Sequence, residues 1–313
     1  MKILVTGGAG FIGSHLCDAL IDLGHQVVVV DNLSLGRKRN LIQLETNPKF
    51  EFVQGDVLDD LMLGQLVRGG GFDCVFHMAA NSDIARSHAS PSIDIDNSFL
   101  TTFRVLEAMR GAGIKQLVFA STSAIYGEAD GEIAENFGPL QPISHYGAAK
   151  LASEAFISSY GENYGIQSWI TRFPNVVGSR ATHGAVFDFV QKLRRTPRRL
   201  DVLGDGTQEK PYLEVVDLVR AMILVWRTAS EPMNIYNVGA TTRSTVADIA
   251  RIVIEEGPGD AEIVYSGGNR GWIGDVPKFA YDIGRIRSLG WEPSMTSDEA
   301  IRSAARAVWA EEA

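Results

Sequence analysis

The sequence predicts an α/β protein: a doubly wound parallel sheet joined to a smaller α+β part. Three observations lead there. In the first half, short runs that are apolar at every position alternate with segments of helical period. Such strands bury both faces, and crossover helices are what cover both faces of a parallel sheet. A cluster of glycines sits between the first run and the first helical segment. Third, the regular alternation fades after about Arg172, where strand and helix signals mix without a flexible linker.

The elements follow in order. Ile3-Leu4-Val5 is a buried strand, and Phe11, Ile12, His15, Leu16, Ala19, Leu20 and Leu23 then recur at helical spacing. Val27 to Val30, rich in β-branched residues, is the second strand; Phe50–Val53, Cys74–Phe76 and Leu117–Phe119 are further strands. Gly69-Gly70-Gly71 ends a helix ahead of the Cys74 strand. Longer helices are predicted at about 92–111 and 146–164. From about 167 onward, strands are expected at 167–171, 200–203, 234–238 and 262–265, and helices near 185–195, 215–227, 245–256 and 297–310. The expected division is 1–172 for the sheet domain, with returning elements at about 213–238. Residues 173–212 and 239–313 form the smaller part.

Composition narrows the function. The chain has 313 residues, 45% hydrophobic and 21% charged, an ordinary globular balance. With 29 Lys+Arg against 38 Asp+Glu, its net charge is -9, which disfavours a nucleic-acid partner. The basic cluster Lys192, Arg194, Arg195, Arg198, Arg199 reads either as a solvated helix face or as steering for an anionic substrate. Cys17 and Cys74, the two cysteines, lie in apolar periodic stretches and read as reduced core residues, as in a cytoplasmic protein. No signal peptide, membrane-length apolar run or metal-ligand spacing is evident, so no membrane or metal is expected.

The stretch Thr6-Gly7-Gly8-Ala9-Gly10-Phe11-Ile12-Gly13 follows a strand and opens a helix. In that context glycines let backbone approach a pyrophosphate, and the helix N-terminus points N–H groups at it. Asp31 ends the second strand eighteen residues after Gly13. A carboxylate there accepts from both ribose hydroxyls and repels a 2′-phosphate, which favours NAD. Arg37, Lys38 and Arg39 are the counter-argument, since they could hold that phosphate. Asp56 and Val57 are placed to meet the adenine edge or form a plain loop.

Tyr146-Gly147-Ala148-Ala149-Lys150 puts a phenol and an ammonium one helical turn apart. A lysine ammonium and an oxidised nicotinamide nearby would favour the phenolate and make Tyr146 a general acid or base. Ser121, Thr122 and Ser123 stand at the end of an apolar strand, where side chains face the ligand crevice.

These segments together resemble the extended short-chain dehydrogenase/reductases, of the NAD-dependent sugar epimerase/dehydratase type, over nearly the whole chain. The resemblance rests on the glycine turn, Asp31-Asn32, His77-Met78-Ala79-Ala80, Ser121 to Gly127, Tyr146 to Lys150, and Arg172-Phe173-Pro174-Asn175-Val176-Val177-Gly178. It implies a Rossmann-type fold, NAD as cofactor and a homodimer built on the helices near 92–111 and 146–164. The UDP-galactose 4-epimerase branch is the most similar. That implies Thr122, Tyr146 and Lys150 as catalytic residues, with Gly7, Gly10, Phe11, Ile12, Gly13, Asp31, Asn32, Asp56, Val57, Ala79, Ala80, Asn97 and Phe173 around the cofactor. A nucleotide-sugar substrate, UDP-linked, would meet Ser121, Ser123, Asn175, Val202, Lys210, Tyr212, Arg270, Asp275 and Phe279, with Leu203-Gly204-Asp205-Gly206 as the turn near the base.

The departures bear on the reaction. Dehydratases of this type carry Asp-Glu after the catalytic Thr; here Ser123-Ala124 stand there, and no acid is at hand for a leaving hydroxyl. Lys210-Pro211-Tyr212 replaces the usual Arg-Asp-Tyr, so a point charge takes the place of a bidentate fork. Arg270 lies two residues upstream of the usual position, and the bulky Phe279 suits an unsubstituted hexose. The expected reaction is epimerisation at C4 through a 4-keto sugar. A hexuronate epimerase, decarboxylase, dehydratase or reductase, or an NAD-sensing protein, stays open.

Overall fold

The computed structural model describes residues 1–82, 87, 90–129, 131–257, 259–268 and 280–311. Its centre is a seven-stranded sheet in which every pairing is parallel. The strands are β1 (Lys2–Thr6), β2 (Gln26–Asp31), β3 (Phe50–Gln54), β4 (Cys74–His77), β5 (Gln116–Thr122), β6 (Gln167–Phe173) and β7 (Met233–Asn237). Their order across the sheet is β7-β6-β5-β4-β1-β2-β3. The direction of winding therefore reverses between β1 and β4, and ligands in such sheets bind at the strand C-termini beside that switch point. This is a Rossmann-type doubly wound fold with small additional sheets.

Side-chain alternation sorts the strand residues into two layers. Ile3, Val5, Val27, Val29, Cys74, Phe76 and Val118 pack on one face with Leu16 and Leu20 of α1 (Phe11–Asp22). Leu4, Val28, Val30, Val75, Leu117 and Phe119 pack on the other with Leu63 and Val67 of α2 (Asp60–Gly70). Further along the chain, α3 (Thr101–Ala112) and α4 (His145–Tyr164) complete the second layer through Leu106, Met109, Ile157 and Tyr160. At about 25 cal/mol per Å² of apolar surface, layers buried this fully are the main force holding strand to helix. Both cysteines are free and buried in them. Gly71, at φ 62, stops α2 in the left-handed conformation the glycine run suggests.

A third apolar cluster sits in the C-terminal part. It joins α5 (Ala185–Arg195), α7 (Val246–Glu255) and α8 (Ser297–Ala310) through Val190, Leu193, Ile249, Val253, Ile301 and Val308. Between α5 and α7, α6 (Val215–Thr228) returns to the main sheet, burying Leu218, Met222 and Val225 in its first layer. Two-stranded pieces link the parts: Asn175–Val177 runs parallel to Tyr212–Glu214, and Arg199–Val202 to Glu262–Tyr265. Glu209–Lys210 pairs with Ser244–Thr245, antiparallel. The four-residue strands Arg199–Val202 and Glu262–Tyr265 match sequence expectations, whereas the two- and three-residue ones are too short to show a period in the sequence.

The predicted helix over 92–111 is not one regular helix. An α-turn at Ser92–Asp94 leads into a π-turn at Ile95–Leu100 before α3 begins. The Asn97 carbonyl accepts the Asn81 N–H at 3.1 Å and the Thr101 hydroxyl at 3.3 Å. Partners outside the helical ladder open the turn, as they do at many functional sites. Among the described residues no helix is long and apolar enough to cross a membrane.

Candidate active site

A cleft of about 780 Å³ runs along the C-terminal ends of the strands and between the two parts of the chain. Its first wall is the β1–α1 turn. Gly7 holds φ +70, and a Cβ there would lie 2.6 Å from the Ala79 nitrogen, so the turn and the loop after β4 touch backbone to backbone. At Gly13 a Cβ would run into the Gly7 carbonyl oxygen, and only glycine lets α1 start that close to the strand. Gly10, Phe11 and Ile12 line the cleft with them, which presents the N-terminus of α1 to any anion held there.

Asp31 closes this end. Its Oδ2 accepts the Ala9 N–H at 3.0 Å and its Oδ1 accepts the Leu33 N–H at 2.8 Å. Burial pushes its carboxyl above the usual range, and the two backbone N–H groups oppose that. The Asn32 amide donates to Asp56 Oδ2 at 2.9 Å, which ties the loop after β2 to the loop after β3. Asn32, Asp56, Val57, Ala79 and Ala80 all line the cleft. The basic trio turns elsewhere: Arg37 lies over Phe187 at 5.7 Å, Lys38 over Phe52 at 6.0 Å, and Arg39 is exposed. A buried carboxylate with no cleft-lining cation beside it among the described residues suits a free ribose diol, and the residues here fit NAD.

Deeper in, β5 ends at Thr122, whose hydroxyl accepts the Ala124 N–H at 3.2 Å and caps a short 3-10 turn, Ser123–Tyr126. Ser144 caps α4 by accepting the Gly147 N–H at 3.0 Å, which puts Tyr146 in the first turn, at the cleft. Lys150 follows one turn later, 2% exposed; its Nζ donates to the Ala120 carbonyl at 2.8 Å and stands 6.0 Å from the Tyr146 ring centre. Asn97, Ser123, Phe173 and Asn175 complete this part of the wall.

The sequence suggests that Lys150 and an oxidised nicotinamide together favour the Tyr146 phenolate; within the chain itself, burial pushes the phenol above its ordinary value, Asp94 adds to the rise, and hydrogen bonding with Thr122 opposes it. Burial also brings Lys150 down to about 7, with Glu154 and Asp94 resisting, so its charge is no fixed point near neutrality.

Two predicted residues are not brought to the cleft. Ser121, one residue before Thr122, points to the other side of the strand and donates to Glu154 Oε1 at 2.5 Å, fully buried. Val202 is 1% exposed in the third apolar cluster, while its neighbour Leu203 lines the cleft. Strand alternation explains both. Lys210 and Tyr212 do reach the wall. Arg270, Asp275 and Phe279 lie outside the described residues. Of the basic cluster only Lys192 lines the cleft; Arg194 caps the end of α8 at the Val308, Trp309 and Glu311 carbonyls. Among the described residues no cluster of potential metal ligands occurs.

The wall also holds residues the sequence reading passed over. Gly184, Ala185 and Val186 begin α5 there, and glycine at the N-cap ahead of an amphipathic run is the one local signal that could have marked them. Gln208 is another, and nothing in its local sequence singles it out.

The chain matches the model of the NAD dependent epimerase/dehydratase family over residues 3–239. It is 34% identical over 305 residues to a putative UDP-glucose 4-epimerase of Methanocaldococcus jannaschii, covering 96% of each chain. A crystal structure of a UDP-galactose 4-epimerase superposes with a TM-score of 0.87 at 40% identity, over 98% of both chains. The dTDP-glucose 4,6-dehydratase of Streptomyces venezuelae, solved with NAD bound, superposes with a TM-score of 0.89 at 29% identity, over 98% of this chain and 96% of that one.

Proposed function

The chain belongs to the NAD-dependent epimerase/dehydratase family, an enzyme family whose cofactor is NAD, and we propose that it epimerises a UDP-linked hexose of the glucose/galactose type at C4. One observation carries the choice among the family's reactions. Ser123 and Ala124 line the cleft beside Thr122, and the only carboxylates lining it among the described residues are Asp31, Asp56 and Asp188. Asp31 and Asp56 stand at the ribose end and Asp188 on α5, so none serves as an acid at the Thr122 end. Tyr146 and Thr122 can move one proton on and off a sugar hydroxyl; expelling a hydroxyl as water needs a further acid.

Bound NAD supplies the hydride acceptor and donor at the sugar carbon. The chain's residues do the rest. Thr122 donates to and accepts from the 4-hydroxyl, and Tyr146 takes its proton as the C4–H bond breaks. Lys150, held by the Ala120 carbonyl, orients the cofactor side of the site. Lys210 binds the diphosphate by charge, and this anchor lets the 4-keto sugar turn over while the nucleotide stays. Tyr146 then returns the proton on the new face.

We assign a homodimer to the same reading. Ile95 and Phe156 are 53% and 40% exposed on the outer side of the helices leading into α3 and of α4, with Phe99 and Phe103 stacked edge-on against Phe156. An apolar patch on two adjacent long helices suits two-fold pairing.

The test is NMR of the purified protein in D2O with UDP-hexoses and UDP-hexuronic acids and no added cofactor. A C4 epimer without ring deuterium supports the proposal. Deuterium at C5, or loss of water or CO2, places the chain with the dehydratases or decarboxylases.

A further inference from the structure

His77 ends β4, fully buried, and both of its ring nitrogens are engaged. The donors can be assigned. The Thr102 hydroxyl donates its one proton to the Ser98 carbonyl at 2.9 Å, so toward His77 Nε2, at 3.1 Å, it can only accept. His77 therefore carries its proton on Nε2. Burial keeps the ring neutral, so Nδ1 is bare and accepts the Thr6 hydroxyl at 2.6 Å. The Thr6 oxygen in turn accepts the Ala79 N–H at 3.3 Å.

One polarised chain of hydrogen bonds thus runs from the Ala79 N–H through Thr6, His77 and Thr102 to the Ser98 carbonyl. Its two ends stand at different parts of the site. Ala79 lines the cofactor side of the cleft and touches the glycine turn, since a Cβ on Gly7 would lie 2.6 Å from the Ala79 nitrogen. Ser98 belongs to the π-turn. Its carbonyl also receives the Ser153 hydroxyl of α4 at 3.3 Å, shared with the Ala149 carbonyl at 2.9 Å. Ser153 follows Lys150 on that helix within one turn. Thr6, His77 and Thr102 stand behind the cleft wall and do not line it.

We propose that His77 is a positioning residue: through this relay it holds the cofactor-side loop after β4 in register with the π-turn and with the helix that carries Tyr146 and Lys150. A neutral imidazole suits the task, because it offers one acceptor and one donor at a fixed separation on a rigid ring. Phe119 stacks on that ring at 5.8 Å between centroids and takes Lys150 Nζ at 4.6 Å from its own centroid, so the imidazole and the lysine share one packing partner. The role concerns the bound NAD and holds whatever sugar the cleft accepts.

The experiment follows exchange of bound NAD for radiolabelled NAD in the purified, NAD-containing protein, for wild type, Thr102→Val, His77→Leu and His77→Gln. Thr102→Val keeps the shape and removes the acceptor of the Nε2–H, at the end of the relay away from Ala79. His77→Gln keeps one acceptor and one donor. Exchange should quicken by about fivefold or more in Thr102→Val and in His77→Leu, the worth of one net hydrogen bond, and stay within about twofold of wild type in His77→Gln. Val225→Ala, in the apolar layer of α6, is the control: it should unfold earlier than wild type and exchange NAD at the wild-type rate. Nitrogen-15 spectra of histidine-labelled protein should show His77 protonated at Nε2 and bare at Nδ1, with the Nε2 resonance moved in Thr102→Val. Wild-type exchange in Thr102→Val would overturn the assignment even where His77→Leu fails to fold. So would His77→Gln exchanging as fast as His77→Leu, equal quickening in Val225→Ala, or a proton on Nδ1.

Discussion

Arg172 and Glu154 form a buried ion pair, Nη2 to Oε2 at 2.6 Å, with the side chains 5% and 4% exposed. Glu154 lies one helical turn beyond Lys150, and Arg172 lies on β6 beside Ser121. The pair gathers a network. Ser121 donates to Glu154, Arg172 Nη1 donates to the Tyr126 hydroxyl at 2.9 Å, and Tyr126 donates to Asn237 Oδ1 at 2.7 Å. The residues before Thr122, the helix that carries Tyr146 and Lys150, and β7 are thereby locked to one another behind the cleft.

Removing one partner from this pair should be costly. Glu154→Ala leaves the Arg172 guanidinium buried without its counter-charge, a loss of about 3–5 kcal/mol. Urea unfolding at pH 7.5 measures it. The double variant Glu154→Leu with Arg172→Met buries no charge and should lose less than either single change. Equal or larger loss in the double variant would show that the network, not the uncompensated charge, dominates.

Most of this frame was legible because it follows from period. The parallel strands and main helices have long apolar patterns, and the glycine turn, Asp31, Tyr146 and Lys150 sit at their ends. The sequence was less informative where partners come from far away. Ser121 reads as a site residue until Glu154, 33 positions on, claims its hydroxyl. The π-turn at Asn97 depends on Asn81, and the place of Lys210 in the cleft wall depends on a pairing of two residues. The Tyr146 pKa depends on burial, which spacing does not report.

His77 gives the fold an acid limit. Its ring is fully buried between the Thr6 hydroxyl at 2.6 Å and the Thr102 hydroxyl at 3.1 Å, and burial, aided by Lys150, lowers its pKa to about 3. Below pH 6.5 the unfolded chain takes up a proton that the native ring refuses, so stability falls as pH drops from about 6.5 to about 3, by up to about 1.4 kcal/mol per pH unit. Below both values the slope ends. His77→Gln keeps a polar group there without the titration, and unfolding compared at pH 6.5 and 4.5 should show a smaller difference than wild type. An unchanged difference would assign the acid sensitivity to the carboxylates alone.

Gly7→Ala tests the first wall of the cleft. The residue must hold φ +70, which costs an L-residue about 1–2 kcal/mol, and its Cβ meets backbone of Ala79 that has no rotamer to give way. The variant should lose stability by at least that amount and purify with less NAD per chain, read from thermal unfolding and cofactor absorbance. Wild-type values for both would show that the turn relaxes without moving the loop after β4.

Tyr146→Phe separates proton transfer from assembly of the site. The phenol lines the cleft from the first turn of α4, and its hydroxyl hydrogen-bonds with Thr122. Loss of the oxygen should leave folding and NAD content near wild type. It should reduce kcat by about 10²–10⁴-fold, the usual contribution of a positioned acid–base group. Lys150→Met provides the contrast, because it removes the ammonium and its bond to the Ala120 carbonyl and should lower cofactor affinity as well as turnover. If Tyr146→Phe turned over at the wild-type rate, the proton would have to leave by way of Thr122, whose hydroxyl has no base behind it other than this phenol among the described residues, and the assignment of Tyr146 would fail.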